Sequence, residues 1–264
     1  MMMWIRYSFG LLAALVFAAA SYANSSPNPR AKLMLGEFAA AYAEAERSKT
    51  AEGQALAAEI LLTEIMIGQA KKNKKQAKLA RKIAEAALEI DPDNQNARLQ
   101  FAVADGFVTR ETGNVSAWMK KLPQKTHAIV QGYRDDFPED PRGDALLGAW
   151  HLAIARKAGN KNAIKWFDAS IAEGRTLFLS ARAEQPDDVI IGVNYAFSLL
   201  ALKDSDFADT EEARLILSEL ASMSPSDHLG KTLKAYGEEA LTRIEDRDDV
   251  RDYVGMFLDG KMPK

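Results

Sequence analysis

The sequence predicts an all-α fold of stacked antiparallel helical hairpins, TPR-like in the sense developed below, and three observations carry that expectation. From Ala31 onward alanine, leucine, glutamate, lysine and arginine dominate, and no stretch alternates with period two for long enough to make a strand. Apolar residues instead recur at helical spacing. The third observation is a returning junction, Pro-x-Asp/Asn, found in "DPDN" at Asp91, "FPED" at Phe137, "QPDD" at Gln185 and "SPSD" at Ser224. Proline disfavours helical geometry in the residue before it, so Asp91, Phe137, Gln185 and Ser224 each mark a helix end. Two positions after each proline stands Asn94, Asp140, Asp188 or Asp227, whose side-chain oxygen can cap the free N–H groups of the next helix. Pro141 suits the first helical position after Asp140. Each junction therefore stops one helix and starts another, and linkers this short fold the new helix back on the old.

Along the chain, Arg6 precedes the apolar stretch Phe9 to Ala20, with Ser21 and Ala23 at the minus-three and minus-one places of a cleavage site. Residues 1–23 read as a secretory signal peptide cut after Ala23 (or Ala20), too short to span a bilayer, with an uncleaved anchor as the alternative. Residues 24–30 ("NSSPNPR") read as a disordered linker, and 31–264 as one helical repeat domain. Ala55 to Gly68 is apolar almost all round and belongs inside a layered stack. Gln76 to Ile90 has one wet face, with Lys78, Lys82, Glu85 and Glu89 opposite Leu79, Ile83, Ala86, Ala87 and Ile90. From Gly113 to Pro138, the breaks at Gly113-Asn114, Pro123 and Gly132 predict a shorter helix flanked by a loop over one end of a groove. Past Leu241 a charged run leads to Tyr253, Val254, Met256, Phe257 and Leu258, a last amphipathic helix that would cap the stack or serve as a docking segment.

The chain has 34 basic and 37 acidic residues and a net charge of −3; losing Arg6 with the signal peptide makes it about −4. No general attraction to nucleic acid or anionic lipid follows. The absence of cysteine excludes disulfides, thiolate metal sites, a cysteine nucleophile and anchoring through a lipidated cysteine. Apart from the signal segment no apolar run is long enough to cross a membrane, so the chain is expected to be periplasmic or secreted.

Little in the sequence suggests catalysis. His127, His151 and His228 are too scattered for a metal site, and there is no His-Glu-x-x-His, Gly-x-Ser-x-Gly or phosphate-cradling glycine loop. We expect no enzyme, no cofactor and no metal. Asp105 and His151 each interrupt an apolar helix at the equivalent place, which predicts a structural polar pair, with Arg98 or Arg134 as alternative partners of Asp105. The basic run Ala70 to Lys82 reads as a solvated turn, with anionic head groups or an acidic partner as the alternative. Trp118, Trp150, Trp166 and Phe167 read as core, with a pocket as the alternative.

Ile67 to Asn94 ("IGQAKKNKKQAKLARKIAEAALEIDPDN") resembles one complete unit of the tetratricopeptide-repeat family: Ile67-Gly68 stand for its Leu-Gly pair, Ala80 and Ala87 for its small contact residues, Pro92 for its terminal proline. Leu147-Gly148, then Gly174, Phe178 and Ala181, and Ala213 repeat parts of the pattern. The prolines stand 46, 48 and 39 residues apart, more than the roughly 34 of the family, so helices or turns should be longer than usual. The resemblance implies a concave groove lined by the first helix of each hairpin. Its groove places are Leu62, Ile65, Met66 and Gln69; Asn96, Leu99, Gln100 and Val103; and Ile190, Val193, Asn194 and Phe197. Only Asn194 matches the asparagine with which some members clamp a peptide carboxylate. The expectation is a non-enzymatic scaffold that binds a protein or peptide partner of the cell envelope in this groove. The alternative is a small-ligand carrier resembling the T component of periplasmic uptake systems, with a pocket at Trp150 and Trp166.

Overall fold

Fourteen α-helices and no strand make up the described residues, 28–203 and 207–262, of a computed structural model. The signal-peptide segment and residues 24–27 of the expected linker lie outside them. Helix α1 (Pro29–Leu35) begins inside that expected linker, because Asn28 accepts the Ala31 amide and Pro29 occupies the first turn. It is followed by α2 (Phe38–Ala45).

Five hairpins come next: α3 (Ala51–Met66) with α4 (Asn73–Ile90), α5 (Gln95–Arg110) with α7 (Leu122–Asp136), α8 (Pro141–Ala158) with α10 (Ile171–Glu184), α11 (Val189–Leu200) with α12 (Phe207–Ser222), and α13 (His228–Arg243) with α14 (Arg247–Leu258). All four expected caps form. Asn94, Asp140, Asp188 and Asp227 accept the amides of Ala97, Arg142, Ile190 with Ile191, and Gly230, at 2.8–3.0 Å. Helices α4, α7 and α10 end two residues before the proline, with Asp91, Phe137 and Gln185 as their C-caps, while α12 stops one residue earlier still, at Ser222.

The long repeat spacing has a different cause from longer hairpin helices. The extra residues form two short additional helices inside hairpins, α6 (Asn114–Met119) and α9 (Asn160–Phe167). In the 113–138 stretch Gly132 does not interrupt α7, and Pro123 sits in its first turn, where a missing N–H costs nothing.

Small residues set the helix separations. Ala77, Ala80, Ala84 and Ala87 of α4 are fully buried between α3 and α5. Gly148 and Gly174 face one another where α8 crosses α10: a Cβ on Gly148 would lie 3.0 Å from the Gly174 carbonyl, and one on Gly174 would lie 3.1 Å from that of Gly148.

The two ends of the stack meet. Phe38 stands edge-on to His228 with ring centroids 5.6 Å apart, and the Tyr236 hydroxyl donates to the Ile67 carbonyl at 2.9 Å. Leu229 joins the cluster of Leu33 and Phe38. With the apolar ends covering each other, α14 is not the expected cap. It lies across the inner faces of α11 and α13, where Phe257 meets Phe197 edge-on at 5.1 Å and Tyr236 at 6.0 Å.

The residues after α14 act as a strap. Asp259 takes Arg156 at 2.5 Å and Lys157 at 2.8 Å, the Asn73 amide donates to the Gly260 carbonyl at 2.7 Å, and Met262 is buried against Gly68. Burial pushes the Asp259 carboxyl upward, but the bonds from Arg156 and Lys157 outweigh it and hold it at about 2. The strap thus fastens the ends of α3 and α8 and the start of α4 with a carboxylate ionised at neutral pH.

Candidate binding cleft

Most of the expected groove is occupied by the protein itself. Phe197 and Val193 are fully buried, the first beneath α14 and the second near Gly237 of α13. Leu62, Ile65 and Leu99 are buried, and Val103 is half-buried against the α3–α4–α5 core. Met66 packs on the cluster that contains Met262. Gln69 is exposed in the turn after α3, and Asn194 spends its side-chain N–H on the Ile190 carbonyl of its own helix at 2.8 Å.

What stays open lies at the N-terminal ends of the first helices. A cleft of about 460 Å³ is lined by Arg30, Glu52, Glu59, Asn94, Gln95, Asn96, Gln100 and Arg142, so two expected groove residues, Asn96 and Gln100, face it. Helix α1 brings Arg30 over α3, where it pairs with Glu59 at 2.5 Å and lies 3.9 Å from Glu52. The Asn94 cap fixes the start of α5, and one turn further on Gln100 donates to Asn96 Oδ1 at 3.0 Å. On the far side Arg142 clasps the buried Asp140 through Nε at 2.8 Å and Nη2 at 2.6 Å. Gln95 donates to the same carboxylate at 2.8 Å, and so does the Tyr133 hydroxyl. Burial alone would raise the Asp140 carboxyl, but the bonds from Arg142 and Tyr133 prevail and hold it at about 2. Arg142 is thereby locked in place while half of its side chain remains exposed to the cleft. The lining carries two guanidiniums, two carboxylates and fixed side-chain amides. It offers directed donors and acceptors with balanced charge, and no nucleophile. A second cleft, about 580 Å³, opens at the starts of α11 and α13 and includes Ile190, Asp188 and Met223.

The two tryptophans of the alternative pocket are not brought together. Trp150 is buried, its indole N–H donating to the Pro123 carbonyl at 2.9 Å and its ring 4.4 Å from His127. Trp166 projects into solvent on α9 beside Lys165. Asp105 and His151 are both buried, but the expected contact between them is not made. Asp105 accepts the Thr126 hydroxyl at 2.7 Å and has Arg81 Nε 3.0 Å away. Neither Arg98 nor Arg134 is its partner: they pair with Asp136 and Asp144. His151 accepts the Ser170 amide at Nδ1, and burial pushes its imidazole below the ordinary value, so it is neutral at pH 7.

Arg30, Glu52, Glu59, Gln95 and Arg142 escape the sequence reading. Arg30 sits in the proline-containing segment read as linker, while Arg142, directly after a cap and a proline, carried a legible hint of a fixed position. Among the described residues no group of His, Asp or Glu is disposed to hold a metal, and no helix is long and apolar enough to cross a membrane. Compared with known proteins, the chain matches no family model and no curated protein.

Proposed function

We propose that this chain is a non-enzymatic adaptor that binds an exposed polar segment of another cell-envelope protein in the cleft at the starts of α3, α5 and α8. The supporting observation is the lining itself: side-chain amides, the Arg30–Glu59 pair, and Arg142 fixed by the capping residue Asp140, with Gln100 buried. Such a surface matches a peptide, whose backbone supplies donors and acceptors along its length, better than an apolar small ligand, which needs an enclosed apolar wall. Preorganisation by Asn94 and Asp140 lowers the ordering cost of binding.

Gentle purification of the processed protein from its own envelope, followed by native mass spectrometry, should show added mass equal to another polypeptide. Gln100→Leu leaves the cleft without its floor amide and is expected to weaken that complex at least tenfold, about 1.4 kcal/mol, with unchanged helicity. Added mass of a few hundred daltons, or a polypeptide retained equally by Gln100→Leu, would contradict this reading.

A further inference from the structure

Over the first three hairpins the turns at the two edges of the stack differ in charge. One edge carries the four Pro-x-Asp/Asn turns, and residues 89–94, 135–140, 184–188 and 224–227 together hold eleven carboxylates and no lysine or arginine. The other edge carries the turns within hairpins. There stand Lys71, Lys72, Lys74 and Lys75 around the start of α4, Lys120, Lys121 and Lys125 around α6 and the start of α7, and Lys161 and Lys165 on α9. Among the described residues none of these nine lysines is in an ion pair, whereas Lys157 nearby is held by Asp259. The carboxylates of this edge are mostly engaged: Glu111 by Arg110 at 3.1 Å, Asp259 by Arg156 and Lys157, and, at the turn from α13 to α14, Glu245 by Arg214, Asp248 by Arg251 and Asp249 by Arg243, with Asp246 capping α14; Asp168 stands beside α9.

The basic edge also carries apolar side chains with nothing to cover them. Trp118 is 64% exposed, Met119 72%, Ile164 51% and Trp166 61%. One buried residue ties α9 to the start of α7, the helix that follows α6. Trp150 bonds the Pro123 carbonyl at the start of α7 and shares a cluster with Ala163 of α9 and Phe167. The strap draws the first turn to the same edge, through Asn73 to Gly260 and through Asp259 to Arg156.

We propose that this edge docks on an anionic lipid bilayer, with Trp118, Met119, Ile164 and Trp166 entering the head-group region and the unpaired lysines meeting lipid phosphates. Tryptophan favours that depth, and lysine stems can lie along apolar surface while the ammonium stays at the head groups. The apolar groups are exposed to solvent, and a fluid interface needs no complementary hollow to receive them. Charge sets the orientation. Helix α4 has 18 residues and so separates the edges by about 27 Å, several times the roughly 8 Å screening length at physiological salt. The acidic turns are therefore too distant to cancel the attraction, although the whole chain is net acidic. Docking in this pose leaves the polar cleft, at the opposite edge, facing away from the bilayer.

The test is flotation of the signal-processed chain with vesicles of phosphatidylcholine alone and with a third of the lipid replaced by phosphatidylglycerol, at low and physiological salt. The expected result is binding to the anionic vesicles only, weakened by salt, with a blue shift of tryptophan emission. At least a tenfold loss is expected both in Trp118→Ser/Trp166→Ser and in Lys120→Glu/Lys121→Glu/Lys161→Glu/Lys165→Glu. All these residues are exposed, so circular dichroism should match the parent. No flotation at low salt, equal binding to neutral vesicles, or binding undiminished in both variants would overturn the proposal. A stoichiometric complex with an acidic protein, lost in the same variants and without vesicle binding, would assign the edge to a protein instead. Gln100→Leu should leave flotation unchanged, which separates failure here from failure of the cleft.

Discussion

Phe197→Ala is expected to destabilise the protein by about 3–5 kcal/mol, the usual cost of removing a fully buried phenylalanine, and to loosen α14. Phe197 is completely buried, with Tyr253 and Phe257 of α14 edge-on to it at 6.2 and 5.1 Å. Truncation removes apolar surface from the core and leaves a cavity between α11 and α14 that the stack cannot close, because α11 is also held by α8, α12 and α13. For a fold whose total stability is on the order of 5–15 kcal/mol this is a large fraction. Urea denaturation followed by circular dichroism measures it. A loss below about 0.5 kcal/mol, the range of ordinary surface changes, would mean that α14 does not rest on Phe197.

The second large effect is expected at Gly148. An added Cβ would lie 2.9 Å from Phe178 Cδ2 and 3.0 Å from the Gly174 carbonyl. The carbonyl belongs to a helix backbone, and Phe178 is fully buried and stacked on Tyr195 at 4.9 Å, so neither can yield cheaply. Gly148→Val should cost about 3 kcal/mol or more by overpacking, which lowers the melting temperature by roughly 6–12 °C at about 2–4 °C per kcal/mol for a chain of this size. Gly106→Ala is the control. Nothing stands within 4 Å of a Cβ there, and α5 is regular through it, so alanine should be neutral or stabilising by up to about 1 kcal/mol. Equal effects at the two glycines would show that α8 and α10 do not cross as closely as described.

These two residues also show how much the sequence could tell. Gly148 was legible through the resemblance, as the glycine of a Leu-Gly pair, and close helix approach has one local requirement, the absence of a side chain, which shows in the residue itself. The caps Asn94, Asp140, Asp188 and Asp227 were legible for the same reason: a proline and an acceptor two residues later act on their own neighbours. Phe197 is the opposite case. The resemblance to tetratricopeptide repeats put it among the groove places of its helix, but such a likeness says nothing of what covers that face. Its cover is α14, sixty residues on, whose apolar face at Tyr253 and Phe257 was equally visible and equally without an address. Asp105 and His151 were read as buried polar residues and are. Of their partners, Thr126 and the Ser170 amide follow α6 and α9 in the chain, which the periodicity did not separate from loop, and Arg81 comes from α4, packed on α5. Of the cleft, Asn96 and Gln100 were within reach of the sequence because they share a face of α5. Arg30 was not, since only the meeting of α1 with α3 and α13 brings it there.

Hydrogen–deuterium exchange, read peptide by peptide on the chain from residue 24, tests most directly the claim that the expected groove is covered at α11 and the end of α3 by the protein's own C-terminus and open at the starts of its first helices. Peptides covering α14 and residues 259–262 should be protected to the same degree as those of α11, and should lose that protection in Phe197→Ala. Exchange of α14 within seconds, with α11 still protected, would contradict the account and leave the whole inner face free.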